Sequence, residues 1–263
     1  MATAQDIIDT MLDMADGQQR LVLMRFFKTA PGQYGHGDQF IGLKVPQTRG
    51  IVKEARLDVP MDHISTLLHS PWHEVRLCGL LLLVEEMKAA LPRRSRPDNA
   101  VWARRRHDIA HFYLHHARQA NNWDLVDLSC GPVIGEWLLH PDADGQMPDR
   151  SVLDRLAAST NLWEQRIAIV STIRLIKAGE YADTLRLSTR LLSHRHDLIH
   201  KAVGWMLREV GKMDIGVLRQ YLSQHADAMP RTTLRYAIER MDEAERKRWM
   251  ACGPHIRGRA KSR

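Results

Sequence analysis

Nearly every long segment of this 263-residue chain has apolar residues at helical spacing, and none has the alternation of a half-buried strand. We predict about a dozen helices on this pattern. Helix starts or breaks are marked at Ser70-Pro71, Gly131-Pro132, Ala178-Gly179, Asp197, Gly211 and Pro230. A long loop is predicted at 31–42 and a basic interhelix loop at 92–97. The chain is therefore expected to be all-α.

One charged position recurs along these helices. Aligned on the helix starts, it falls at Arg76, Asp127, Arg166, Lys201 and Arg235, with separations of 51, 39, 35 and 34 residues. The last three separations match helix-pair repeats of HEAT or TPR size. Such pairs stack into a solenoid with a concave inner surface. We therefore predict one HEAT-like α-solenoid domain over residues 1–263, with Asp127, Arg166 and Lys201 along one wall.

The charge balance suits a polyanionic partner without requiring one. Lys plus Arg number 38 against 31 for Asp plus Glu, a net charge of +7 that ordinary cytosolic proteins also reach. Residues 253–263 are predicted to form a basic, disordered tail.

The rest of the composition favours a protein of the reducing cytoplasm. Cys78, Cys130 and Cys252 are single and form no CxxC, so neither a disulfide framework nor a thiolate zinc site is indicated. The N-terminus has no secretory pattern. The longest apolar run, 77–84, is too short to span a bilayer.

Tryptophan and charged residues share helix faces at two places. Trp205 lies opposite the apolar stripe of its helix, with Lys201 and Arg208 at i−4 and i+3 on its own face. That arrangement fits nucleic-acid backbone binding or packing against the next repeat. Trp123 and Asp127 are i and i+4 on a helix capped by Asn122. Asp127 lies beyond the first turn and is the leading chemical group.

Two further groups leave alternatives open. Arg166 interrupts an apolar stripe, so its guanidinium needs either a ligand phosphate or an ion pair between repeats. Histidines recur at i+4 steps at His107, His111 and His115, but the adjoining run of three arginines disfavours a cation. We expect no metal site and no cofactor. Hydrolase, NTPase and dinucleotide fingerprints are absent from the sequence.

Several strings in order resemble the AlkD-like DNA alkylation-repair glycosylases. They are Met24-Arg-Phe-Phe-Lys, Gly35-His-Gly-Asp-Gln-Phe-Ile-Gly, Val45-Pro-Gln-Thr-Arg, Trp123-Asp-Leu-Val-Asp, Leu162-Trp-x-x-Arg and Lys201-Ala-Val-Gly-Trp-Met-Leu-Arg-Glu. The resemblance covers roughly residues 18 to 240. It implies a stack of HEAT-like helix pairs with a basic concave surface for duplex DNA.

The resemblance also implies a reaction and roles for individual residues. The expected activity is cofactor-free excision of N3- and N7-alkylated purines, such as 3-methyladenine and 7-methylguanine, from duplex DNA. It assigns Asp127 as the catalytic carboxylate, Arg166 as the arginine beside it, and Trp123 and Trp205 as the tryptophans facing the damaged nucleotide. Asn122 departs from members with a second aromatic residue there. Phosphate contacts are predicted for Lys201, Arg208, Arg76 and Arg235.

The main alternative is a non-catalytic HEAT-like module that recognises damaged nucleic acid, in which Asp127 merely pairs with Arg166. A protein-binding solenoid scaffold is a third interpretation. The enzyme is favoured because Asp127 and both tryptophans occur together. We expect a cytoplasmic monomer that associates with the nucleoid through DNA and has no membrane partner.

Overall fold

Every regular element of the protein is helical in the part of the chain that the computed structural model describes, residues 2–96 and 98–252. The all-α, solenoid-like fold is therefore confirmed. The chain groups into two compact units, Met1–Arg150 and Ser151–Arg263, each described here by itself. The single continuous domain stays a prediction, and the predicted basic tail lies outside the described residues.

The first unit is built around one long helix. Its α-helices are α1 (Ala4–Asp13), α2 (Gly17–Phe26), α3 (Val45–Ala55), α4 (Met61–Leu68), α5 (His73–Ala90), α6 (Ala100–His115) and α7 (Trp123–Cys130). Helix α5 packs against α3, α4, α6 and α7. Residues 77–84 of α5 are buried on every face of the helix. A helix that is apolar on all faces is stable only when other helices cover all of them.

The apolar run of the sequence thus forms the core of this unit. Among the described helices, none is both long and apolar enough to cross a bilayer.

The helical backbone does not stop at the break predicted for Gly131-Pro132. The backbone continues through a π-helical turn, Gly131–Gly135, and the Glu136 N–H donates to the Gly131 carbonyl. Pro132 cannot donate a hydrogen bond, and its ring would clash with the carbonyl of the preceding turn in an ordinary α-helix. The wider turn accommodates the proline, so the helix carries on.

The second unit consists of helices packed in succession. They are α8 (Ser151–Ala157), α9 (Leu162–Ser171), α10 (Ile173–Lys177), α11 (Ala182–Leu191), α12 (Asp197–Met213), α13 (Ile215–His225), α14 (Arg231–Ala237) and α15 (Glu243–Ala251). Helix α12 lies between α9 and α14 and also contacts α10, α11 and α13. The predicted break at Gly211 is wrong: α12 runs to Met213, and Gly211 instead allows Leu218 of α13 to approach closely.

The repeat position found in the sequence has a structural counterpart for four of its five residues; the exception is Arg76, the fourth residue of α5. Arg166, Lys201 and Arg235 are each the fifth residue of their helices, α9, α12 and α14, which pack one after another. Asp127 is likewise the fifth residue of α7 in the first unit. The spacing of these charged residues in the sequence therefore reflects the lengths of the helices and loops between successive helix starts.

Helices α12 and α14 approach closely enough to require a glycine. A Cβ on Gly204 would lie 2.5 Å from Cβ of Tyr236 and 2.6 Å from the Thr233 carbonyl oxygen. No side chain fits there unless α14 moves.

We predict that Gly204→Ala lowers the free energy of unfolding by about 1–3 kcal/mol, because overpacking displaces backbone. Chemical denaturation followed by circular dichroism measures the change. Gly50→Ala is the matched control: Gly50 is an exposed residue of α3 with open space around its Cβ position. It should be neutral or stabilising by up to about 1 kcal/mol. Equal stability of Gly204→Ala and wild type would contradict the close packing.

Candidate active site

A concave feature of the first unit gathers aromatic rings around a carboxylate. A pocket of about 440 Å³ is lined by residues from α2, the loop after it and the starts of α3, α5 and α7. Those used below are Phe26, Phe27, Phe40, Lys44, Trp123 and Asp127. The predicted pairing of Trp123 with Asp127 on one helix face is confirmed, since both line this pocket.

Stacked rings make one wall of the pocket. Phe27 stacks on Phe40 with ring centroids 5.2 Å apart and on Trp123 at 5.5 Å. Phe26 meets Trp123 edge-on at 5.9 Å, and its own side chain is 60% exposed. The negative faces of such rings attract cations. The pocket wall therefore suits a flat or cationic guest.

A buried histidine joins the elements behind this wall. His73, the first residue of α5, donates from Nδ1 to Oδ2 of Asp38 at 2.7 Å and from Nε2 to Oδ2 of Asp124 at 2.9 Å. Its ring stacks on Phe40 at 4.5 Å. The His73 imidazole thereby connects the start of α5 to α7 and to the loop that carries Asp38.

The surroundings of this histidine keep it protonated. Burial alone would lower the pKa of His73, but the hydrogen bonds to Asp124 and Asp38, with the charges of both carboxylates, raise it to about 9. Burial likewise opposes ionisation of Asp38, yet its bonds to His73 and Arg76 hold the pKa of that carboxyl below its usual value. Asp38, His73 and Asp124 therefore form a buried bridge whose imidazole is protonated at neutral pH.

Arg76 belongs to the same buried network. It is 4% exposed, and its guanidinium donates to Oδ1 of Asp38 and to the carbonyls of Ser70 and Pro71. A guanidinium in the interior with these acceptors is not available to a phosphate. We therefore do not carry forward the prediction that Arg76 binds DNA.

The loop after α2 is held by a second buried carboxylate. Glu74 accepts hydrogen bonds from the backbone N–H groups of Ile41, Gly42 and Leu43 at 3.0, 2.8 and 3.1 Å. Gly42 has a φ of +108°, and a Cβ there would lie 2.1 Å from the Asp16 carbonyl oxygen. This anchoring sets Phe40 against His73.

The start of α7 places both of its pocket residues. Asn122 is the predicted N-cap: its Oδ1 accepts from the Trp123 N–H at 2.8 Å, and its Nδ2 donates to Oδ2 of Asp38 at 3.4 Å. Asn122 is buried, whereas Trp123 and Asp127 are half-buried on the pocket side. Asp124, predicted to be structural, is bonded to His73 and also lines the pocket.

Acidic groups predominate around the pocket. The carboxylates of Glu74, Asp124 and Asp127 line it, against the imidazolium of His73 and the exposed ammonium of Lys44. This balance favours a guest that carries or develops positive charge.

In the second unit, the predicted contact residues of α12 have acidic neighbours. Lys201 Nζ lies 2.9 Å from Oδ2 of Asp197, and the Arg208 guanidinium pairs with Glu239. The half-buried Trp205 donates from Nε1 to Oε1 of Glu209 at 3.2 Å. The Lys201–Asp197 pair is exposed and contributes about 0–1 kcal/mol, so a phosphate can replace its carboxylate. The Arg208 side chain is half-buried, and its partner Glu239 is exposed.

The two remaining predicted cations differ in exposure. Arg166 is 5% exposed, and its Nη1 donates to the Leu198 carbonyl at 2.6 Å, which connects α9 to the first turn of α12. Arg235 is exposed on α14. Arg166 thus has a packing role within this unit, and its predicted role beside the carboxylate stays a prediction.

The histidine series of α6 is packed against a tryptophan. The rings of His107 and His111 stack at 4.0 Å, and both meet Trp137 edge-on. Within residues 2–96 and 98–252, no group of three or more His, Cys, Asp or Glu is placed to hold a metal ion.

Sequence reasoning missed Asp38, His73 and Glu74 as members of the site. Asp38 stands in the quoted string that begins at Gly35, but nothing in the sequence relates it to His73, 35 positions further along the chain. A polar pair, His73-Glu74, at the start of the most apolar helix was the available signal, because buried polar groups need partners.

The fold and this site define a class: an all-helical, solenoid-like protein with an acidic aromatic pocket. A solved structure described as a predicted DNA alkylation repair enzyme from Enterococcus faecalis is similar to it, with a TM-score of 0.61 and 14% identity. The match covers 87% of this chain and 97% of that one. Identity this low shows a common fold only. Among curated proteins, no sequence match is found.

The family model for DNA alkylation repair enzymes matches residues 7–241. The chain therefore belongs to the DNA alkylation repair enzyme family. Membership supports a role in enzymatic repair of alkylated DNA, with DNA as the substrate.

We predict that the free energy of unfolding falls as pH rises from about 6.5 to about 9. The pKa of His73 is raised from 6.5 to about 9, so its contribution is complete below pH 6.5 and is lost as pH rises through the folded value. A pKa shift of this size corresponds to a decrease in the free energy of unfolding on the order of 3 kcal/mol. Denaturation midpoints across this pH range measure the change.

His73→Gln should flatten this pH dependence. His107→Gln, a change at a half-buried histidine outside the bridge, should leave it intact. A wild-type protein equally stable at pH 6.5 and pH 9 would show that His73 is not held as an imidazolium.

Proposed function

We propose that the protein is a DNA glycosylase that excises N3- and N7-alkylated purines, such as 3-methyladenine and 7-methylguanine, from duplex DNA. The observation that carries the proposal is the pocket of the first unit, where the Asp127 carboxylate and the Trp123 indole line one aromatic, acidic cavity. Family membership supports the substrate, since the matched family is one of DNA alkylation repair.

The chemistry of the substrate explains why one carboxylate suffices. Alkylation at N3 or N7 makes the purine cationic, so the base leaves without prior protonation. The deoxyribose then approaches an oxocarbenium ion, as in other glycoside cleavages. Asp127 stabilises that positive charge electrostatically and assists the attacking water. No cofactor takes part in this reaction.

The aromatic wall binds the same positive charge from another side. The face of Trp123, stacked on Phe27, attracts a cationic nucleotide and packs against deoxyribose. Trp205 of the second unit is proposed to contact the nucleotide as the resemblance implies, and Arg166 to assist Asp127. Both remain assignments from the motif.

Phosphate contacts supply affinity without sequence preference. We assign them to Lys201 and Arg208 of α12 and to Arg235 of α14. The substrate is duplex DNA, and the protein acts as a monomer.

We predict that Asp127→Asn lowers the single-turnover rate of alkylpurine release by about 100-fold or more, because stabilisation of the developing cation is lost. Release of 3-methyladenine and 7-methylguanine from methylated duplex DNA is measured under metal-free conditions. Binding to the same duplex should be unchanged, since the interaction is made in the transition state.

Asp13→Asn is the matched control, an identical change at an exposed carboxylate on α1, and it should retain the wild-type rate. Equal rates for Asp127→Asn and wild type would remove Asp127 from the mechanism. Binding of damaged duplex without any release by wild type would favour the non-catalytic recognition module.

We further predict that Lys201→Ala and Arg208→Ala each weaken binding to duplex of any sequence. Each should reduce the slope of log affinity against log salt by about 1, because one phosphate contact is lost. Lys247→Ala on α15 is the control, since Lys247 is 75% exposed in its side chain and pairs only locally, with Glu243 at i−4. A salt slope unchanged in both α12 variants would place these cations away from the DNA.

A further inference from the structure

One hydrogen-bond acceptor in the pocket of the first unit has no donor. Asp124 is 6% exposed, and its Oδ2 accepts the bond from His73. Its other oxygen, Oδ1, is buried and accepts no hydrogen bond within the described part of the chain. Leaving a buried acceptor unpaired costs about 1–3 kcal/mol. A buried acceptor of this kind in a native protein is expected to receive a hydrogen bond from a ligand or a water molecule.

Asp124 also stands beside the carboxylate that the proposed mechanism uses. Asp124 and Asp127 are three residues apart on α7 and are therefore neighbours on one helix face. Both line the same pocket. Two carboxylates at this spacing can accept the two hydrogens of one water molecule, which leaves a lone pair of the water oxygen directed away from both.

A bound metal ion does not explain the pair. The imidazolium of His73 lies 2.9 Å from Asp124 and already supplies positive charge there, and Lys44 lines the pocket as well. No third ligand accompanies the two carboxylates in the described residues. A neutral molecule with two donor hydrogens, such as water, fits the arrangement better.

We propose that Asp124 is a second catalytic carboxylate, whose Oδ1 accepts one hydrogen bond from the attacking water while Asp127 accepts the other. This inference rests on the proposed glycosylase function. The two residues differ in their roles. Asp124 is buried and fixed by His73, so it orients the water. Asp127 is half-buried and receives the proton, which it can return to solvent.

The step balances as a simple hydrolysis. The C1′–N bond of the alkylated nucleotide breaks, and its electron pair leaves with the purine, whose positive charge is thereby neutralised. The water oxygen forms the new bond to C1′, and one water proton passes to Asp127. The products are a neutral alkylpurine and an abasic deoxyribose with a hydroxyl on C1′.

In this scheme, the bridge of Asp38, His73 and Asp124 restrains the Asp124 carboxylate. His73 is held from the other side by Asp38, so the Asp124 carboxylate cannot rotate freely toward solvent. Protonation of His73, with its pKa raised to about 9, keeps this restraint in place at neutral pH. A water held at Oδ1 would then be fixed relative to α7.

The test compares single-turnover release of 7-methylguanine by wild type, Asp124→Asn, Asp127→Asn and the double variant. Asp124→Asn preserves the size of the side chain and an oxygen for His73, but replaces the acceptor Oδ1 with a donor. We expect its rate to fall by about 10- to 100-fold. Affinity for duplex with a neutral tetrahydrofuran abasic site should stay at the wild-type value.

Because both carboxylates act on one water, the double variant should be little slower than Asp127→Asn alone. Asp183→Asn is the structural control. It removes a buried carboxylate of α11 that pairs with Arg186 outside the pocket, so at a temperature well below unfolding its rate should stay within about threefold of wild type.

Several results would overturn the inference. They are a wild-type rate in Asp124→Asn, fully multiplicative losses in the double variant, or an equal loss in Asp183→Asn. If wild type itself releases no alkylpurine, the proposed function fails instead. If Asp124→Asn does not fold, Asp124→Glu replaces it. That variant keeps the charge beside His73 but moves the oxygens, so it should fold and lose rate, and an unchanged rate would refute the role.

Discussion

A protonated histidine held between two buried carboxylates is the interaction on which the first unit depends. His73 connects the loop at Asp38, the start of α5 and the start of α7 through two charge-assisted hydrogen bonds. Removing either carboxylate would leave a charge without its partner in the interior. The network therefore positions the start of α7, which carries Trp123 and Asp127, and Phe40 of the aromatic wall stacks on its imidazole.

The pocket combines two ways of binding positive charge, and both suit the same moment of the proposed reaction. Aromatic faces attract a diffuse cation, while a carboxylate stabilises the localised charge of an oxocarbenium ion. The rings of Phe27 and Trp123 are already stacked on each other, so little reorganisation is needed when the charge develops. In the proposed reaction, a pocket of this kind favours a base that is already cationic over a neutral purine.

Local features were predictable from the sequence, and tertiary ones were not. Helical periodicity gave the all-α fold, and the cap at Asn122 is where the pattern placed it. The interior place of Arg76 was not predictable, because its partner Asp38 lies in a loop whose course depends on the folded unit. The π-helical turn at Pro132 was not predictable either, since a proline alone does not reveal whether the helix can widen around it. Asp127 was singled out by its position, and its catalytic role remains a proposal.

The most direct test of the account is a crystal structure of the protein with duplex DNA carrying a cationic pyrrolidine in place of one deoxyribose. The pyrrolidine nitrogen imitates the charge of the oxocarbenium ion. The account predicts that this ring lies in the pocket of the first unit, against Trp123 and within hydrogen-bonding reach of Asp127 or of a water held by Asp127 and Asp124. A pyrrolidine bound outside this pocket, with Asp127 away from the DNA, would contradict it.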